Sequence, residues 1–207
     1  MSIIKLNNQA VKNATSFGSI SSLGSMTLIK KLTASSSATL SFVDGSDGVV
    51  LDDTYKEYVF TFNNIHPSSN GEQFRFNGSD DTSSHSYDIV KTTTSFEAHH
   101  NEADNNTSLG YNTGGDLAQS TAFQMIGSGT GTDNDQCIAG TLHLFNPSST
   151  TFVKHFISTL NCYTDNDFSR EDFTAGYFNT TAPITALQFK FAIGNIDAGD
   201  ICLYGIA

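Results

Sequence analysis

The chain has 207 residues and a formal net charge of −11, with only 15% charged residues and with 16 Phe, 7 Tyr and no Trp. That length suits one all-β domain able to bury roughly 70% of its unfolded surface without help from a disulfide or a metal. The acidity excludes a nucleic-acid binder, which needs a basic face to displace phosphate counterions, and disfavours attraction to an anionic membrane.

Abundant Ser, Thr, Asn and Gly with little charge predict many short strands joined by turns rather than a helical bundle. No stretch approaches the ~20 apolar residues of a membrane span, and Met1 to Leu6 is too short an apolar run for a secretory signal, so a soluble product is expected. The three cysteines, Cys137, Cys162 and Cys202, form no C-x-x-C and are expected as buried free thiols. Cys137 and Cys162 lie on either side of a turn at Asn146-Pro147, where they could be cross-strand neighbours.

Residues 1–25 differ in composition from the rest of the chain. Ile3, Ile4 and Leu6 precede a stretch dominated by Ser, Gly and Asn, which is too polar for a core helix and reads as an N-terminal arm. Residues 26–207 read as a single β-sandwich domain. Met26–Leu32 and Ala38–Val43 are predicted strands, and the acidic turn from Asp44 to Gly48 lacks the ligand spacing of a calcium loop. In Tyr55–Ile65, Tyr58, Phe60 and Phe62 share one parity, the mark of a strand with one buried face. Pro67 ends it, and His66 to Asn70 reads as a hairpin loop leading to a partner at 73–77.

Weaker strand signals lie at Tyr87–Val90 and Thr94–Ala98. His99 and His100 are the densest imidazole pair, but neighbours on a strand point to opposite faces and cannot readily share one metal. Residues 105–115 and 127–135, rich in Gly, Asn, Asp and Thr, read as loops, and 117–126 as a short helix or irregular strand. Ile138–Phe145 and Thr151–Thr159 read as a hairpin, with Phe145 facing Phe152 and His143 opposite Lys154. Phe173–Phe178 is a further strand. The last stretch, Ile184–Ile206, reads as a final hairpin, with Leu187, Phe189 and Phe191 alternating before a turn at 196–200 and a return through Ile201 to Tyr204. The total is about ten or eleven strands in an antiparallel β-sandwich, with a jelly roll as the expected topology.

Two carboxylates are the usual equipment of a glycan hydrolase. Here the acidic residues sit in turns, among them Asp44, Asp47, Asp133, Asp135, Asp165 and Asp167, and nothing singles out a pair. No G-x-S-x-G, H-E-x-x-H or catalytic Cys signature is present, so a non-enzymatic protein without a cofactor is expected.

Four stretches carry a family resemblance: Ser2 to Asn8 with Phe17 to Ile20, Tyr55 to Phe60 with Asn64 to Pro67, Leu142 to Ser149, and Gly194 to Gly199 leading to Leu203–Ile206. Together they resemble small β-sandwich virion structural proteins of tailed bacteriophages, especially marine ones. The resemblance implies a head decoration (cement) protein on the particle surface, made in the host cytoplasm. Its partners would be the major capsid protein and copies of itself, with a trimer expected. Ile3, Ile4, Leu6 and Phe17 of the arm are then the candidate capsid or subunit contacts. The alternative is a tail-fibre module that binds a host receptor through the loops at 66–70, 99–115 and 127–135, with His66, His99, His100 and Tyr111 as recognition residues. A surface polysaccharide depolymerase is a weaker alternative.

Overall fold

The computed structural model describes residues 26–207, so the N-terminal arm with Ile3, Ile4, Leu6 and Phe17 lies outside the described residues. Twelve strands form two antiparallel sheets, and among the described residues there is no helix. The strands are β1 (Met26–Thr33), β2 (Leu40–Val43), β3 (Glu57–Pro67), β4 (Glu72–Ser79), β5 (Lys91–Asn101) and β6 (Thr107–Tyr111). They continue with β7 (Gln124–Thr130), β8 (Ile138–Phe145), β9 (Lys154–Tyr163), β10 (Phe168–Phe178), β11 (Ala186–Phe191) and β12 (Ile196–Ile206). One sheet runs β1-β12-β3-β8-β9-β10-β5-β6 and the other β2-β11-β4-β7.

With β5, β6, β9 and β10 set aside, β1-β12-β3-β8 face β2-β11-β4-β7, the doubled Greek key of a jelly roll. The two hairpins set aside, β5–β6 and β9–β10, dock together beyond β8 and widen one sheet to eight strands. The core lies between the sheets where aromatic parities meet. Phe189 of β11 packs at 5.3 Å from both Phe60 and Phe62 of β3 and at about 6 Å from Phe42, Phe74 and Phe76. All six rings are buried, and most of the pairs meet edge-on or tilted, as ring quadrupoles favour.

Several sequence expectations change. Ile184–Ile206 is not a hairpin: β11 pairs with β2 and β4 in the small sheet, whereas β12 pairs with β1 and β3 in the large one. The expected turn at 196–200 is the bulged start of β12, where Gly199 at φ +114° passes so close to Asn64 O that a Cβ would stand 2.5 Å from it. Likewise β3 and β4 lie in opposite sheets, so residues 68–71 form a crossing rather than a hairpin loop. Short polar connections serve both geometries, and in a sandwich both sheets bury one parity. Alternation therefore shows which side chains are inside but not which sheet holds them.

Residues 105–115 contain β6, and 127–135 contain the end of β7. Tyr87–Val90 is no strand. The turn before it is held by Asp81, whose carboxylate accepts the backbone N–H groups of Ser83, Ser84, His85 and Ser86. These donors hold the Asp81 carboxyl far below the usual carboxylate range. In the β8–β9 hairpin the register pairs Leu144 with Phe156 and His143 with Ile157, not Lys154. Cys162 pairs with Ile138 at the open end of that ladder and Cys137 lies one residue beyond it, both as free thiols, with Tyr163 N donating to Cys137 O at 3.0 Å.

Candidate functional site

Widening the large sheet creates two unusual surfaces. The inner face of the added strands meets the aromatic sheet only where Phe156 of β9 and Phe178 of β10 pack on Phe76. Farther out, β5 and the adjoining part of β10 face β7 and the segment 112–123, and their inward side chains there are polar: Thr93, Ser95, Asp172 and Thr174. Thr93 Oγ1 donates to Gln124 Oε1 at 2.7 Å, and Gln124 Nε2 donates to Gly115 O and Met125 O at 2.6 Å. Arg170 pairs with both Glu97 and Asp172, and Ser128 N donates to Asp172 at 3.1 Å. Burial pushes the Asp172 carboxyl up, against the pull of Arg170, and drives the neighbouring Cys162 thiol up to about 12. Glu97 and Asp172, the carboxylates that share this guanidinium, are thereby committed to a closed ionic cluster. That arrangement ties β5 to β10 through one guanidinium shared by two carboxylates.

The outer face looks away from the small sheet and carries the opposite composition. Strand register places Tyr111, Phe96, Phe173 and Thr159 in one row, and Thr94, Ala175, Ile157 and His143 in the next. Phe96 stacks on Phe173 with centroids 4.5 Å apart at 10°. Phe96 is nevertheless 43% exposed, Ile157 50%, Tyr111 56% and Leu109 74%. Ala175 and Gly176 leave a trough of about 500 Å³ beside them, walled by Tyr177, His155, Ile157 and Thr92. A smaller trough of about 240 Å³ continues it between Ile157, Thr94, Phe96 and Phe173. Toward the far end the face turns polar, with a groove of about 430 Å³ lined by His100, Glu102, Asp104, Asn161, Tyr163 and Ser169. A contiguous apolar area rimmed by polar groups is the usual mark of a contact surface for a large partner.

The structure scatters the predicted recognition residues. Tyr111 sits on this outer face and its phenol donates to Asp116 at 2.8 Å. His100 also points outward, 3.0 Å from Asp104. His99 points inward as expected for its neighbour's opposite parity, edge-on to Phe168. His66 stands apart at the end of β3, with Nε2 3.3 Å from Asp133 O and Nδ1 3.7 Å from Asp197. Three of the expected loops do converge at that end of the sandwich. Asn70 accepts from Thr132 N and reaches Asp165, while Glu102 N donates to Asp167 O.

Phe96, Ile157, Phe173, Ala175 and Tyr177 are the surface residues that sequence reasoning passed over. Their strands give no clean alternation, because Lys91, Glu97, Arg170 and Asp172 occupy the inward parity. Aromatic residues sharing a parity opposite buried charge would have been the available signal.

The fold defines the chain as a jelly-roll β-sandwich with one widened sheet. Compared with protein-family models, with curated proteins and with solved structures, it matches no family, no curated protein and no solved structure.

Proposed function

We propose that this chain is a structural protein of a bacteriophage particle. In this reading it is a head decoration protein that binds and stabilises the capsid exterior beside the major capsid protein and further copies of itself. It works by contact rather than catalysis and needs no cofactor. The observation that supports this reading best is the widened sheet. Its outer face offers exposed Phe96, Ile157, Leu109 and Tyr111 around shallow apolar troughs, a shape suited to a broad protein surface. Jelly rolls serve in viral capsids and in lectins alike, so the fold is compatible with this role by analogy only. The resemblance of the Leu142 to Ser149 and Gly194 to Gly199 stretches to phage virion proteins adds to it.

A second reading, a tail-fibre module for a host receptor, draws on the convergence of the 66–70, 131–136 and 164–167 loops at one end of the sandwich. Mixing labelled protein with expanded heads and, separately, with host cells tests the two. Decoration predicts saturable binding to heads. Binding to cells alone would overturn it in favour of the tail reading.

A further inference from the structure

Two sheets have four edges, and three of them are blunted against pairing with another chain. Strand β1 carries Lys30 and Lys31 and breaks register between Leu28 and Lys30. Strand β2 is four residues long. Strand β7 shifts register twice against β4 and its end is bridged to Thr164. Lysines, bulges, short lengths and covering segments are the devices by which natural sheets avoid adding strands. The fourth edge, β6, carries no lysine and no bulge, and among the described residues no segment covers it. All five of its residues are exposed, and from Asn105 to Gly115 there is no charged residue in a chain of net charge −11.

The hydrogen-bond phase of β6 can be read from its ends. Asn101 N donates to Asn106 O at 3.1 Å and Asn112 N to Ser95 O at 2.9 Å. With the register Phe96 to Tyr111 and His100 to Thr107, the backbones of Ser108 and Gly110 therefore also face β5. Thr107, Leu109 and Tyr111 are left with their N–H and C=O groups turned to the free edge. Their side chains share the outer face with Phe96 and Ala98.

We infer that β6 is a docking edge for a second copy of this chain, the two β6 strands pairing antiparallel about a two-fold axis at Leu109. That register joins the two large sheets into one through about six backbone hydrogen bonds. It sets Leu109 against Leu109 and Tyr111 against Thr107 of the other copy, and it runs both apolar outer faces into one surface. A two-fold contact of this kind uses the same patch on each copy, and the absence of charge on β6 is what lets two acidic molecules approach there. The nearest carboxylates in sequence, Asp104 and Asp116, lie beyond the two ends of the strand, and that of Asp116 accepts from the Tyr111 phenol at 2.8 Å. The pairing gives a dimer where a trimer is expected from the resemblance, and it does not depend on the particle reading.

Analytical ultracentrifugation of the full chain over a concentration series tests it, alone and with Leu109→Lys or Leu109→Glu. The wild type should reach dimer, each variant alone should stay monomeric with an unchanged thermal melt, and an equimolar mixture of the two variants should dimerise again. Hydrogen exchange at Thr107, Leu109 and Tyr111 should be slowed in the wild type and fast in either variant. A wild type that stays monomeric, a trimer, or a dimer indifferent to both substitutions would overturn the inference.

Discussion

Lys91 shows what the widened sheet demands of single residues. Its side chain is buried beside Phe178, and its ammonium donates to Ile89 O at 3.0 Å and Ala122 O at 2.7 Å. Burial lowers its pKa to about 8, partly offset by Asp88. Between about pH 8 and the unperturbed value near 10.4, the unfolded chain holds the proton more tightly than the folded one. Stability from this residue therefore rises with pH across that window, and its cost is fully present below it. Denaturant titrations should show the wild type gaining up to roughly 3 kcal/mol relative to Lys91→Met between pH 8 and 10.4. A difference that stays flat with pH would refute the assignment. Lys154 is buried on the other side of Phe178 and lowered for the same reason, donating to Thr180 O at 3.2 Å. Both ammonium groups are satisfied by carbonyls of the connecting segments, Ile89 O and Ala122 O for Lys91 and Thr180 O for Lys154.

Among the elements, β11 and β5 respond to the same substitution to very different degrees. Phe189 touches five other rings across both sheets, so Phe189→Ala should cost about 3–5 kcal/mol. Phe96 lies on the outer face against Phe173 alone, so Phe96→Ala should change stability by about 1 kcal/mol or less in a thermal or chemical melt. The contrast also shows how far the sequence could be read. In β3 and β11 alternate aromatics announced a buried face, and the structure buries them. In β5 the inward residues are Thr93, Ser95 and Glu97 while Phe96 faces out, because β7 and the 112–123 segment, not an aromatic sheet, lie opposite. Local alternation carries no record of what lies across the sandwich. For the same reason β11 and β12 read as a hairpin although they belong to different sheets, and β6, with no buried side chain, read as loop.

At the scale of the whole molecule, a jelly roll supplies a rigid frame and two inserted hairpins supply area. The frame closes over its own aromatic core within residues 26–207, which predicts that deleting residues 1–20 leaves a folded domain. On the decoration reading the deletion removes Ile3, Ile4, Leu6 and Phe17, and the truncated protein should melt as the wild type does yet fail to occupy expanded heads. Occupancy at the wild-type level would show instead that the arm is dispensable and that the outer face suffices. The central claim, that this chain decorates a phage head, is tested most directly by a cryo-electron microscopy map of the purified particle with the copy number counted. Hundreds of copies spread over the capsid lattice are the predicted result. A handful confined to the tail, or none on the particle, would contradict it.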